Sequence, residues 1–273
     1  GKLKHIDGRK AFDVFCEDMQ MVLGTQKTTL SQFYIYNHEN ESNIEEEEET
    51  PSLNFFQKSL ELFCCRKRSE NIKTDSSEYT NSIPMYNTVF DFILEILKSR
   101  NHPLRVTELN ISVNGQDQLE TLLKHVKSTE LKYLFINNDN YATVKNELNL
   151  DTLKNFGNLN DLLVFDFLIT SSLESLSHIP TIKGKFKKIT ATEILARKET
   201  HFKSVPLSES WVCCYTIKYD EFPDEYRLFE LFGTPFEHFF DETTWKFNIP
   251  ESMRKLVVSL RTAWSVEFSM SCI

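Results

Sequence analysis

The stretch VTELNISVNGQDQLETLLKHVKSTELKYLFI, residues 106–136, decides the fold. It opens on an apolar phrase, Val106-x-x-Leu109-x-Ile111, and closes on a second copy, Leu131-x-x-Leu134-x-Ile136. Between them Leu119, Leu122, Leu123 and Val126 recur at helical spacing. Alternating apolar positions over a short run read as a strand, and a three-to-four-residue recurrence reads as a helix. Strand, helix and strand in so short a segment imply two parallel strands with the helix returning along one face.

The phrase recurs outward from this stretch. Copies begin at Leu30 (with Phe33 and Ile35), Leu159 (Leu162, Val164) and Val212 (Tyr215, Ile217), and a degraded one runs from Phe186 to Ile189. From Val106 onward the starts fall 25, 28, 27 and 26 residues apart. A period in that range, with one strand per unit, is the mark of a leucine-rich-repeat-like solenoid. The expected fold is therefore α/β, helix-strand repeats forming a curved, mainly parallel sheet, in a single domain over residues 1–273. Asn114 follows Ile111 where a leucine-rich repeat carries its asparagine. Asp139 and His38 hold that place in two other units, so no regular asparagine ladder is expected.

The flanks are less regular. Phe12, Phe15, Met19 and Val22 or Leu23 predict an amphipathic helix ending at Gly24, followed by a strand from Leu30 to Tyr36. Residues 38–51, with the run Glu45 to Glu49, read as an acidic loop, Ser52 to Cys65 as a helix, and 66–84 as a polar loop. Val89, Phe90, Ile93, Leu94 and Leu97 line a further helix that His102-Pro103 stops. Residues 220–273 read as a C-terminal capping region built from short strands at Trp245–Ile249, Leu256–Leu260 and Trp264–Phe268.

Composition narrows the classes of function. With 40% hydrophobic and 12% aromatic residues the chain can bury a sizeable core. Its net charge of −9 argues against generic binding to nucleic acid or an acidic membrane, which needs clustered positive charge. No apolar run approaches the roughly 18 residues that cross a bilayer. Cys16, Cys64, Cys65, Cys213, Cys214 and Cys272 lack the spacing of a zinc knuckle and read as buried free thiols of a reducing compartment. The expected location is cytoplasmic or nuclear rather than secreted, with the sequons at Asn40 and Asn110 unused. A first residue Gly1, not Met, suggests a fragment or a trimmed chain.

Catalysis finds no support in the sequence. Among the seven glycines none forms a phosphate-cradling loop, and the seven histidines show no helical HxxxH pairing. No enzyme activity, cofactor or metal is expected. The stretch holding Lys183, Lys185, Lys187, Lys188, Arg197, Lys198 and Lys203 is basic, whereas Asp220 to Glu242 holds eight acids against Arg227 alone. Each is a solvated face or an electrostatic contact with a partner, and direct RNA binding through Lys183 to Lys203 is a third functional class.

The arrangement resembles the nematode FTH domain family, found downstream of F-box motifs. The resembling segments are FCEDMQMVLGTQKTTLSQFYI (15–35), LEILKSRNHPLRVTELNISV (94–113), LETLLKHVKSTELKYLFI (119–136), TATEIL (190–195) and YTIKYDEFPDEYRLFELFGTP (215–235), with the ending WKFNIPES (245–252). The resemblance implies a protein-interaction module that selects substrates for a cullin-type ubiquitin ligase, while an F-box recruits the Skp-type adaptor. No F-box is visible in this chain, so the resemblance does not carry adaptor binding over to it. It brings no catalytic or ligand residues either. The alternative is a non-degradative scaffold. The family's name points to germline feminisation, where the partner would be an RNA-binding translational repressor.

The binding residues would lie between the phrase positions. If the phrase points inward, alternate residues face the open side of the sheet. These are Tyr34, Asn110, Phe135, Leu163 and Thr216, with Tyr36, Ser112, Asn137, Phe165 and Lys218 two residues on. Tyr34, Tyr36, Asn110, Phe135, Leu163 and Phe165 are the candidate partner-binding residues. Either they form an interface, or loops or helices on the second face cover them as core.

Overall fold

The computed structural model describes residues 11–35, 82–138, 146–204, 215–249, 254–261 and 265–272. Its strands are β1 (Leu30–Ile35), β2 (Val106–Val113), β3 (Tyr133–Asn138), β4 (Glu147–Leu148), β5 (Asp161–Ile169), β6 (Thr181–Lys188), β7 (Tyr215–Glu221), β8 (Glu237–His238), β9 (Glu242–Asn248), β10 (Arg254–Arg261) and β11 (Ser265–Cys272). Its helices are α1 (Ala11–Thr25), α2 (Ser82–Ser99), α3 (Gln116–Leu123), α4 (Ala191–Ser204) and α5 (Arg227–Phe232), with 3-10 turns at Asp151–Asn155 and Glu174–Leu176. One mixed, open sheet contains all eleven strands, in the order β1-β2-β3-β5-β6-β7-β11-β10-β9-β8, with β4 beside β5.

The apolar phrase builds the parallel half of this sheet by falling into register with itself. Phe33 stands opposite Leu109, Leu109 opposite Leu134, Leu134 opposite Leu162, and Leu162 opposite Ile182. A second row joins Ile35, Ile111, Ile136 and Val164. A one-residue slip would turn both rows to the wrong face, so burial of the rows specifies the register. They enter one apolar cluster with Phe90, Ile93 and Leu97 of α2, Leu119 and Leu122 of α3, Leu153 and Leu176 of the 3-10 turns, and Ile194 of α4.

The regular solenoid expected from the spacing is not confirmed. In register, the fifth copy is Ile179-x-x-Ile182-x-Gly184, not Phe186 to Ile189. The units therefore fall 25, 28, 20 and 33 residues apart rather than near a constant period. Gly184 takes the place of the phrase's third apolar residue because another side chain fills its space. A Cβ there would meet Ile169 Cδ1 at 2.7 Å. Ile169 arrives from beyond a bulge in β5, where the pairing with β6 jumps from Leu163 to Leu168 and Asp166 adopts a positive φ of 59°. Buried Asn138 braces the bulge by donating from Nδ2 to the Asp166 carbonyl at 3.0 Å. Asn114 makes no ladder; its Nδ2 donates to Asn87 Oδ1 on α2. Asp139, His38, the acidic loop 38–51 and the helix 52–65 lie outside the described residues, and α2 begins at Ser82, inside the expected polar loop.

Beyond β7 the sheet turns antiparallel. β11 pairs with β7, and β10, β9 and β8 follow outward. Trp245 anchors this end: it is 1% exposed, donates from Nε1 to the Gly233 carbonyl at 3.0 Å, and meets Phe229 and Phe232 edge-on.

Two polar devices join neighbouring units. Thr190 and Glu193 form a capping box at the start of α4, inside the TATEIL segment: Thr190 N donates to Glu193 Oε2 at 2.8 Å, and Glu193 N to Thr190 Oγ1 at 3.4 Å. The other carboxylate oxygen of Glu193 accepts from Leu173 N at 2.9 Å, tying α4 to the preceding 3-10 turn. Glu130 plays a similar part before β3, taking Lys127 Nζ and Arg105 Nε at 2.8 Å each together with the Thr29 hydroxyl. The Lys127 bond first, then that of Thr29, with Arg105 adding to both, holds the Glu130 carboxyl at about 2 instead of 4.5.

A carboxyl held this low stabilises the fold above its unfolded value and stops doing so as pH falls through its folded one. Glu130→Gln is therefore expected to lower the melting temperature at neutral pH and to flatten the acid limb between 4.5 and about 2, read by melting curves against pH. At the bulge, Gly184→Ala is expected to lower stability by about 1–2 kcal/mol through overpacking. With Ile169→Val the double variant should lose less than the sum of the two changes, measured by a denaturant double-mutant cycle.

Candidate interaction surface

Residues between the phrase positions project from the sheet's other side. Tyr34, Asn110, Phe135, Leu163 and Lys183 lie opposite one another on five successive strands. At about 4.8 Å per strand this row spans roughly 19 Å. Its first four side chains are half-buried, and Tyr34, Phe135 and Leu163 take no part in the apolar cluster on the helix side. The row before it holds Gln32, Glu108, Tyr133, Asp161 and Thr181, and the row after it Ser112, Asn137 and Phe165.

Hydrogen bonds hold the face in one arrangement. Tyr34 Oη donates to Glu108 Oε1 at 2.5 Å and Gln32 Nε2 to Glu108 Oε2 at 3.1 Å. Asn137 Nδ2 donates to Asn110 Oδ1 at 2.9 Å, bridging β3 and β2. Burial pushes the Asp161 carboxyl up, against the opposing hydrogen bond from Thr181. The result is a strip of Tyr34, Phe135 and Leu163 bordered by the carboxyls of Glu108 and Asp161 and ended by Lys183. Such a strip can grip an apolar side chain and orient polar groups beside it. Among the described residues no group of three or more metal-ligating side chains converges.

The predicted residues are distributed as follows. Tyr34, Asn110, Phe135 and Leu163 come together in the single row, and Phe165 stands opposite Asn137 just before the bulge. Tyr36 lies outside the described residues. Thr216 extends the first row, since its neighbour Ile217 faces Gly184, and Lys218 faces Lys185. Glu108, Tyr133 and Asp161 were not among the sequence candidates. Counting two residues back from each candidate, as well as two forward, would have found them.

Four cations of the basic stretch are already engaged within the fold. Lys185 pairs with Asp220 at 2.6 Å and Lys187 with Glu147 at 2.6 Å. Lys198 sits over the Phe247 ring, 4.4 Å from its centroid. Arg197 is 1% exposed and donates to the Ile179 and Pro180 carbonyls and to Tyr215 Oη, with its guanidinium over the Tyr215 ring. It is core, stapling α4 to the turn before β6.

Adjacent residues on opposite faces should respond differently to truncation. Leu134→Ala is expected to lower stability by about 2–5 kcal/mol. Phe135→Ala should lower it by under about 1.5 kcal/mol, in a chain that still unfolds cooperatively. Urea unfolding of the two variants checks this, and comparable losses would make Phe135 core.

The family model for the FTH domain matches residues 87–230, from α2 into α5, just over half of the 273 residues. No curated protein and no solved structure matches the chain. The matched span contains the in-register rows of β2, β3, β5 and β6 and the α4 capping box, and on that match the chain belongs to the FTH domain family.

Proposed function

We propose that this chain is a protein-interaction domain that recruits a substrate to a cullin-type ubiquitin ligase, holding a partner segment across the open face of the parallel strands. The observation that carries the reading is the in-register row of Tyr34, Asn110, Phe135 and Leu163, half-buried and outside the helix-side core. Membership of the FTH family is consistent with protein interaction. A roughly 19 Å row accommodates about six residues of extended chain. Rigid aromatic anchors suit such a task, because they lose little conformational entropy on binding and can each contribute about 2 kcal/mol or more. In this reading the Skp-type adaptor is engaged by an F-box, which these 273 residues do not display.

Affinity purification of the natural full-length protein tests the proposal. Co-recovery of a Skp-type adaptor and a cullin, with a bound protein whose level rises on knockdown, is the expected result. Tyr34→Ala with Phe135→Ala should lose that bound protein while keeping the adaptor. Recovery instead of an RNA-binding protein whose level is unchanged on knockdown would replace degradation with a scaffold role.

A further inference from the structure

We propose a second docking surface, at the far end of the sheet from β1, for a basic segment of a partner protein that also carries aliphatic side chains. Three phenylalanines of the β8–β9 hairpin stand in solvent: Phe236 is 58% exposed, Phe239 63% and Phe240 103%. At about 200 Å² per residue their exposures sum to roughly 450 Å², carried by three large apolar side chains within five residues of chain. Phe229 of α5, 40% exposed, meets the hairpin at His238, ring edge-on at 5.8 Å.

The hairpin is held firmly. Phe236 N donates to the Thr244 carbonyl and Phe239 N to the Glu242 carbonyl, each at 2.8 Å, and His238 Nδ1 lies 2.7 Å from Thr243 Oγ1. Trp245 roots β9 in the core beneath. Nothing about turn geometry asks for Phe at positions 239 and 240, where small polar residues suit a tight reversal better. An ordered tip of exposed aromatics is a pre-organised contact whose side chains lose little freedom on binding.

Charge selects the occupant. Asp220 to Glu242 holds eight acids against Arg227. Asp220, Asp224 and Glu242 pair with Lys185, Arg227 and Arg261, but Glu230, Glu237 and Asp241, which flank the phenylalanines, have no ion-pair partner among the described residues. A second copy of this chain meeting the hairpin about a two-fold axis would bring these carboxylates against themselves. A segment with Lys or Arg beside Leu or Ile meets both the rings and the charge, and one cation already shows the mode: Lys246 Nζ sits 3.4 Å from the Phe236 ring centroid.

A short peptide of alternating leucine and lysine is the probe, with its leucine-glutamate counterpart as control, titrated against the protein by calorimetry. The lysine peptide should bind and the glutamate peptide should not, with affinity falling severalfold from low to physiological salt. Phe239→Ser with Phe240→Ser leaves every charge in place, so binding through net charge alone would survive it. The expected loss is about tenfold or more, with an unchanged melting temperature, whereas Tyr34→Ala with Phe135→Ala should bind the peptide as the natural chain does. Equal binding by the two-serine variant, or a concentration-dependent dimer that those serines abolish, would overturn the proposal.

Discussion

The parallel half of the structure depends on one constraint, that the apolar phrase of each strand must lie beside the same phrase of the next. Leu109, Leu134, Leu162 and Ile182 are each 0% exposed in a continuous row. No single unit could bury such a row alone, since a short strand and its return leave one apolar side uncovered. Stacking supplies the missing cover, as in other architectures whose units contact only their neighbours. Setting the inward row also sets the outward one, because side chains alternate along a strand. The alignment of Tyr34, Asn110, Phe135 and Leu163 is thus a by-product of core burial, available for use as a surface.

The exceptions to the repeat are as informative as the rule. Where β5 and β6 meet, the third phrase position shrinks to Gly184, and Ile169 reaches back from beyond the bulge to fill the place. Volume is conserved although the pattern is not, as close-packed interiors require. Arg197 is a second exception. A guanidinium with no acidic partner among the described residues is tolerable in the core because two backbone carbonyls and a tyrosine hydroxyl accept from it and an aromatic ring lies beneath it.

The two surfaces of the domain differ in kind. The open face is broad, half-buried and organised by side-chain hydrogen bonds within the sheet, whereas the β8–β9 hairpin is a small protruding tip with acidic flanks. They lie toward opposite ends of the strand order, with β7, β11 and β10 between the row that ends on Lys183 of β6 and the hairpin. The FTH match covers β2, β3, β5 and β6 of the first surface but not Tyr34 of β1, and it ends at residue 230, before the hairpin begins.

Much of the parallel sheet was legible in the sequence. The period-two phrase identified β1, β2, β3, β5 and β7, and set Leu109, Leu134 and Leu162 on one side of their strands and Asn110, Phe135 and Leu163 on the other. Those features are local, set by alternation and helical spacing. The fifth unit was misplaced at Phe186, because recognising Ile179, Ile182 and Gly184 as a phrase requires knowing that Ile169 occupies the space above the glycine. The burial of Arg197 was hidden for the same reason: a cation amid lysines reads as surface until the carbonyls it caps are brought to it. The antiparallel end had strand signals, yet its attachment to β7 and the exposure of Phe239 and Phe240 were not written in any periodicity. Sequence alone determined which residues face together along each strand, since that follows from backbone geometry. Only the tertiary structure decided which strands adjoin and which aromatics stay in solvent, since both depend on side chains meeting from distant segments.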